Sequence, residues 1–186
     1  MNDISNQRND LPILETGRLI LRMFEPGDLD ETDLLFNDSE AQKYLVPQNK
    51  RTREELKSFI ENRIKRWNEI GFGLWCVTEK NVGKMIGYCG FQYFDKTTDI
   101  EIVFGFLPQF WGKGFATESA AACIKFGFEN LGFKKIYAAT DPHNIASRCV
   151  LEKINMKFVS KETYYGIELV TYSISTDKNQ PESPDS

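Results

Sequence analysis

The stretch that most restricts the fold is the junction between DIEIVFGFL (99–107) and the helix-forming run that ends at Gly132, joined through LPQFWGKGFATES (107–119). A strand that enters a helix through two glycines one residue apart brings its main chain round in a tight reversal. The first N–H groups of the helix then stand without intrahelical partners, and the helix dipole adds positive potential there. Glycine opens backbone conformations closed to other residues and lets the main chain come close to a ligand. Such a junction favours a pyrophosphate without needing a metal or a lysine side chain. Pro108 has no N–H, so the strand ladder has to stop at that point.

Three phosphate-cradling patterns compete for this segment. A P-loop needs GxxxxGK followed by Ser or Thr, but Lys113 follows Gly112 directly and Gly114 comes next. A dinucleotide fingerprint needs GxGxxG or GxGxxA and an acid at the end of the next strand. Position 117 is Thr, and the strand 134–140 holds no acid before Asp141. The third pattern, Q/R-x-x-G-x-G/A, is met by Gln109-Phe110-Trp111-Gly112-Lys113-Gly114, with Ala116 adding a further small residue.

The flanking chain supplies the scaffold. GRLILRMF (17–24) reads as a strand, closed by Pro26-Gly27-Asp28, and Asp28 can cap a short helix through about Asn37. Thr52 and Glu55 form a capping box for a longer helix that Gly71 stops. Its Leu56, Phe59, Ile60, Ile64, Trp67 and Ile70 follow helical spacing and read as core packing, with Trp67 near enough to the end to line a pocket. Strands are predicted at 72–79, 85–94, 99–107 and 134–140, and helices at 115–131 and 144–154. Two final strands, near 156–164 and 167–175, turn at Tyr165-Gly166. The order β-α-α-β-β-β-α-β-α-β-β is neither regular alternation nor all-β. It predicts an α/β (α+β) fold, a mixed sheet with helices on its faces.

The whole chain of 186 residues is most simply one domain, spanning 13–175, with polar tails at 1–12 and 176–186 read as disordered. Of the net charge of −4, the tails carry −3, so the domain is nearly neutral and lacks the footprint of a nucleic-acid binder. No apolar run is long enough to span a membrane, and no signal-peptide core opens the chain. Cys76, Cys89, Cys123 and Cys149 lie apart in apolar surroundings and read as buried thiols of a reducing cytoplasm. A single histidine, His143, excludes two-histidine metal sites, so no metal is expected. His143 itself follows Asp141-Pro142 and reads as a surface turn residue.

LPQFWGKGFATES on its strand-to-helix junction resembles the acetyl-CoA-binding motif of the GNAT N-acetyltransferase superfamily. The resemblance runs over roughly 15–175 and is narrower still to the RimJ/RimL-type branch. That branch shares the ETxRLxLR opening (Glu15 to Arg22), the WGKGxATE core and the downstream NxxSxxxLEK, all present here in order. The resemblance implies a mixed central sheet of about seven strands flanked by about four helices. It implies that acetyl-CoA is the cosubstrate, its pyrophosphate held by main-chain N–H groups of Trp111, Gly112, Lys113, Gly114, Phe115 and Ala116. Polar groups near Phe106 and Leu107 would meet the pantetheine arm, and Asn144 would hydrogen-bond it, although Asn144 equally suits a helix N-cap. Ser147 would lie near the sulfur. The branch has Leu151 where other members carry a Tyr that protonates the thiolate, and Asn155-Met156 replaces a Gly-Phe pair; Asn tolerates the left-handed turn that ends a helix.

Direct acetyl transfer needs a neutral amine, a polarised thioester carbonyl and a stabilised thiolate. Glu101, on the strand beside the expected arm, is the candidate base, with substrate positioning or a structural ion pair as its alternatives. Ser147 or a water is the candidate donor to the thiolate, and a backbone N–H near Phe106 the carbonyl donor. Glu118 and Glu152 read as structural. An α-amine, with a pKa of about 7.7–8.0, needs less help from a base than a lysine near 10.4. The expected acceptor is a primary amine, with a protein N-terminus ahead of a polyamine, amino acid or antibiotic. A coenzyme A sensor without turnover is the non-enzymatic alternative. Monomer and homodimer both stay open.

Overall fold

A computed structural model describes residues 11–44 and 49–176. Its strands are β1 (Leu14–Glu15), β2 (Leu19–Arg22), β3 (Leu74–Glu79), β4 (Met85–Tyr93), β5 (Ile100–Phe106), β6 (Lys135–Thr140), β7 (Lys157–Tyr164) and β8 (Ile167–Ser175). The α-helices are α1 (Leu29–Asn37), α2 (Arg53–Ile70), α3 (Phe115–Glu129) and α4 (Ile145–Lys153). All eight strands form one sheet in the order β1-β2-β3-β4-β5-β6-β8-β7. The strand beyond the expected seven is β1, which pairs with β2 through Leu14↔Leu21 and Glu15↔Ile20. Two residues are too few to show a period of two, so no pattern in the sequence could announce it.

Alternation along the central strands builds a core on each face of the sheet. On β3, Leu74 and Cys76 join a cluster with Leu35, Phe36, Leu56 and Ile60 of α1 and α2. Trp75 and Val77 point the other way, into a cluster with Phe115, Ala120, Cys123 and Leu151 of α3 and α4. A strand covered on both faces is buried almost throughout, and β3 is.

Local chemistry sets the helix ends. Thr52 accepts from the Glu55 N–H at 3.2 Å while Glu55 accepts from the Thr52 N–H at 2.7 Å. Asn155 takes a φ of +65° after α4, and the Met156 N–H closes the turn on Leu151 O at 3.0 Å. Trp67 is core, buried and donating through Nε1 to Leu74 O at 3.1 Å.

The tail assignments fall mainly on 1–10 and 177–186, outside the described residues. Leu11 and Pro12 belong with the domain: Leu11 packs against the core, and the Pro12 carbonyl accepts from Trp75 Nε1 at 2.8 Å. Thr176 likewise donates its N–H to Lys134 O at 3.1 Å. Of the four cysteines, three are buried, but Cys149 is exposed. It stands on a face of α4 that looks away from the core residue Leu151.

The feature that positions the site is a break in the sheet. β6 runs with β8 over its whole length, from Lys135↔Ser175 to Thr140↔Val170. β5 runs with β4 from Ile100 to Phe106. Between β5 and β6 the parallel pairing reduces to Glu101↔Tyr137. Beyond that pair the strands part.

Candidate active site

A cavity of about 690 Å³ occupies the parting, walled by β5 and β6, the loop into α3, the start of α4, and side chains from α1 and α2. The edge of β5 supplies its polar lining. The Leu107 N–H donates to Ile86 O at 3.0 Å. Bonded and non-bonded pairs alternate along an antiparallel ladder, so Phe106 (opposite Gly87) and Phe104 (opposite Cys89) turn their backbone groups toward β6. The Phe106 carbonyl is taken by Trp111 Nε1 at 2.6 Å. The Phe106 N–H remains directed at the gap. Leu107 is different from expectation: its N–H serves β4, its carbonyl accepts from the Phe110 N–H at 2.9 Å, and it does not line the cavity.

The glycine loop follows. A short 3-10 turn at Pro108–Phe110 draws the Trp111 N–H back to Pro108 O at 3.1 Å, so that donor is spent, and the Trp111 ring alone faces the cavity. Gly112 and Gly114 then take φ of +72° and +81°, the left-handed region that favours glycine. The helical ladder of α3 begins with Glu118 N–H to Gly114 O at 3.0 Å, which leaves the N–H groups of Phe115, Ala116 and Thr117 as the open end of the helix. Gly112, Gly114, Phe115 and Ala116 line the cavity; Lys113 does not, its amine lying 5.0 Å over the Phe110 ring.

The loop is braced from the β1–β2 turn, which gives the ETGR segment a physical role. Glu118 accepts from Thr16 Oγ1 at 2.6 Å, from the Arg18 N–H at 2.9 Å and from Arg18 Nε at 2.7 Å. The Arg18 guanidinium also donates to Lys113 O at 2.9 Å and lies 4.5 Å over the Phe115 ring. Partial burial works against the Glu118 charge, yet the Thr16 hydroxyl and the Arg18 groups hold its carboxyl below the ordinary range. Glu118 is structural, as its sequence context suggested. Glu118→Ala is expected to lower the thermal midpoint by several degrees and to weaken ligand binding at the loop together, since it frees Arg18 from the turn it holds. Differential scanning fluorimetry with and without ligand measures both.

Glu101 lies at the narrow end of the parting and is 2% exposed. It accepts from the Tyr165 hydroxyl at 2.5 Å, from Gln92 Nε2 at 2.9 Å and from the Ala139 N–H. Burial pushes its carboxyl up to about 7 against these three donors. Burial and the Glu101 charge push the Tyr165 phenol well up, so it stays a donor. Tyr165 also accepts from the Asp95 N–H at 2.8 Å. No reading of the sequence marked Tyr165 or Gln92. A signal for Tyr165 existed: it occupies the first central position of a two-residue hairpin, at φ +53° beside Gly166 at +80°. Asn, Asp or Gly is the usual choice there, and an aromatic side chain held in that strained region points to a use.

On α4, Asn144 is the N-cap: its side chain accepts from the Ser147 N–H at 3.0 Å, and it is buried against the cavity. Ser147 lines the cavity, and its hydroxyl has no hydrogen-bond partner among the described residues. Leu151 is core, and His143 is exposed, paired with Asp141 at 3.0 Å. Glu101, Phe106, Gly112, Gly114, Phe115, Ala116, Asn144 and Ser147 therefore share one cavity.

The family profile described as "Acetyltransferase (GNAT) domain" matches residues 18–157. The Bacillus subtilis (strain 168) protein YkkB is 38% identical over 152 residues, covering 78% of this chain and 85% of its own. Among solved structures, a GNAT-family acetyltransferase from Bacillus anthracis superposes with a TM-score of 0.74 at 26% identity, over 88% of this chain and 98% of that one. RimL, a ribosomal L7/L12 α-N-protein acetyltransferase in complex with coenzyme A, gives 0.75 at 18% identity, over 90% of this chain and 100% of its own.

Proposed function

The chain belongs to the GNAT acetyltransferase family, and from that premise we propose that it carries the acetyl group of acetyl-CoA directly onto the α-amine of a peptide held in the same cavity. The observation that carries this reading is the buried Glu101, whose carboxyl sits near 7 at the narrow end of the parting. A base is most useful when its pKa lies near the working pH. It is also close to an α-amine of about 7.7–8.0, whereas a lysine amine near 10.4 would lie more than three units uphill.

Each element of the cavity then has a part in binding or in proton movement. The N–H groups of Gly112, Gly114, Phe115, Ala116 and Thr117 hold the pyrophosphate, and the free edge of β5 receives the pantetheine arm as an added strand would be received. The Phe106 N–H stabilises the developing oxyanion on the thioester carbonyl. The amine nitrogen attacks that carbonyl carbon, its proton passes to Glu101 directly or through a water, and the C–S bond breaks. The sulfur leaves as a thiolate that takes a hydrogen bond from the Ser147 hydroxyl, and it is protonated by solvent water while Glu101 returns its proton to solvent. Asn144 holds the start of α4 and reaches the arm.

Thiol release from acetyl-CoA with a panel of peptides, polyamines and amino acids tests the reading. Turnover concentrated on peptides supports it; turnover confined to polyamines or amino acids moves the acceptor class. Coenzyme binding without any release would favour a sensor. The pH profile adds a finer check. Activity is expected to rise through about pH 7 as Glu101 loses its proton. Tyr165→Phe deletes a donor to the carboxylate, so it should move that limb to higher pH by on the order of one unit. A limb unmoved in Tyr165→Phe would remove Glu101 from the role of base.

No helix among the described residues is long and apolar enough to cross a membrane. With free cysteines throughout, we assign the enzyme to the reducing cytoplasm.

A further inference from the structure

The wall of the cavity built by α1, α2 and the segment ahead of α2 carries two arginines with no acidic partner among the described residues. Arg51 Cζ lies 4.3 Å over the Phe36 ring and 5.5 Å over Phe59, and Arg63 Cζ lies 4.6 Å over Phe59. Both residues line the cavity. Among the described residues neither guanidinium forms an ion pair, although Arg18, Arg22 and Arg53 all do. Arg63 Nε is buried with no hydrogen-bond partner. Burial and the neighbouring Arg66 charge push the Arg63 guanidinium below its ordinary value, an unoffset cost that an arriving anion would relieve.

The rings connect this pair to the reacting end. Phe36 and Phe59 meet edge to face at 4.9 Å, and Phe36 stacks on Tyr88 at 5.8 Å with 5° between planes. Tyr88 stands on β4 four residues before Gln92, which holds Glu101. Four residues of strand span roughly 13 Å. The backbone positions beneath the arginine wall and beneath Glu101 are thus farther apart than the two ends of a free α-amino acid. The spacing suits an extended chain with its charge two or three residues beyond the amine, since each residue adds at most about 3.3–3.6 Å.

We propose that the acceptor is the N-terminal segment of an acidic peptide, whose α-amine lies at Glu101 and whose Asp or Glu side chain at the third or fourth position is gripped by Arg51 and Arg63. This rests on the peptide-acetylation reading above and adds the specificity to it. Guanidinium groups already resting over aromatic faces lose less freedom when they bind a carboxylate, and their planar fork matches it in two hydrogen bonds. The same pair repels a polyamine.

The test compares peptides identical except for Glu, Gln or Lys at the third or fourth position, with spermidine as the small cation, in the full chain at saturating acetyl-CoA. KM for the Glu peptides should be roughly ten- to a hundredfold below that for Gln, the range expected of charge-assisted hydrogen bonds. The Lys peptides and spermidine should be worse still, and rising salt should shrink the preference. Arg51→Gln and Arg63→Gln should collapse the Glu-over-Gln ratio, and Arg63→Lys should restore only part of it. Equal KM for Glu and Gln, or a preference for Lys or spermidine, overturns the proposal. So does an effect of the arginine variants on acetyl-CoA affinity instead, because the anion would then be a coenzyme phosphate. Acetyl-CoA-induced thermal stabilisation shows that each variant is folded. Calorimetric binding of the Glu and Gln peptides to the coenzyme A-loaded chain gives a readout without turnover. Discrimination there with no thiol release would refute acetyl transfer and leave the acidic-peptide site standing; no discrimination would refute the site.

Discussion

Glu101→Gln is expected to lower kcat/KM by two orders of magnitude or more, the usual share of a positioned base, and to make the folded chain more stable at pH 8. The two effects come from the same burial. In the unfolded chain this carboxyl titrates near 4.5, and in the fold near 7. Below about pH 4.5 both states are protonated and the residue costs nothing. Between about 4.5 and 7 the folded state binds more protons than the unfolded one, so stability falls as pH rises. Above 7 the full cost is in place, on the order of 3 kcal/mol for a difference of that size. Glutamine does not ionise. Its amide oxygen, placed where Oε2 stands, can still accept from both Tyr165 and Gln92, which share that atom. The variant should gain most over the parent above pH 7 and nothing near pH 4.5. Urea unfolding at pH 5 and pH 8, beside thiol-release kinetics, reads both effects. A variant destabilised at pH 8 and still active would leave Glu101 as a structural acceptor.

Gly112→Asp should abolish acetyl-CoA binding while leaving the fold nearly intact. Gly112 has a φ of +72°, which Asp tolerates better than most residues, and a Cβ built there meets nothing within 4 Å. The space it would enter is the cavity, beside the N–H groups at the head of α3. A carboxylate placed there faces the same donors as a pyrophosphate and repels it. An affinity loss of roughly a hundredfold or more is expected, equivalent to about 3 kcal/mol. The parent chain at a ligand concentration of a hundred times Kd gains about 2.7 kcal/mol from mass action, enough to move a melting curve by several degrees. That shift should vanish in Gly112→Asp. Gly112→Asn, close in shape and uncharged, should keep part of it. Equal shifts in the parent and Gly112→Asp chains would remove the coenzyme phosphates from this loop.

The elements were largely legible in advance because each carries its own local chemistry. Thr52 and Glu55 announce α2, Gly71 ends it, and the glycines around Lys113 mark the turn into α3. The conformation of the candidate site was legible at Gly112 and Gly114, whose spacing reports their positive φ directly. The refinements within the loop were not. The 3-10 turn, a geometry that Pro108 permits without dictating, spends the Trp111 N–H on Pro108 O, while the β4 ladder takes the Leu107 N–H at Ile86 O. Partners brought in from far along the chain were also hidden. Gln92 reaches Glu101 across a β4–β5 register, and Tyr165 reaches it across 64 positions of sequence. Arg51 and Arg63 carry no mark in the sequence, because the rings beneath them, Phe36 and Phe59, are brought together only by the packing of α1 on α2.

The single pairing between β5 and β6 divides the sheet mechanically into two plates, five strands and three. Within each plate neighbouring strands pair over most of their length, with one register shift in each, at Val77/Thr78 and at Phe158/Ser160. The angle between them can change about the Glu101–Tyr137 contact without breaking a ladder bond in either. The Phe106 N–H rides on the first plate, whereas Ser147 follows β6 on the second. The gap between the groups proposed for the two ends of the breaking C–S bond therefore follows that angle, within the freedom left by the core cluster that packs beneath both plates. In the proposed reaction the pantetheine arm would lie in that opening as a spacer between the two plates.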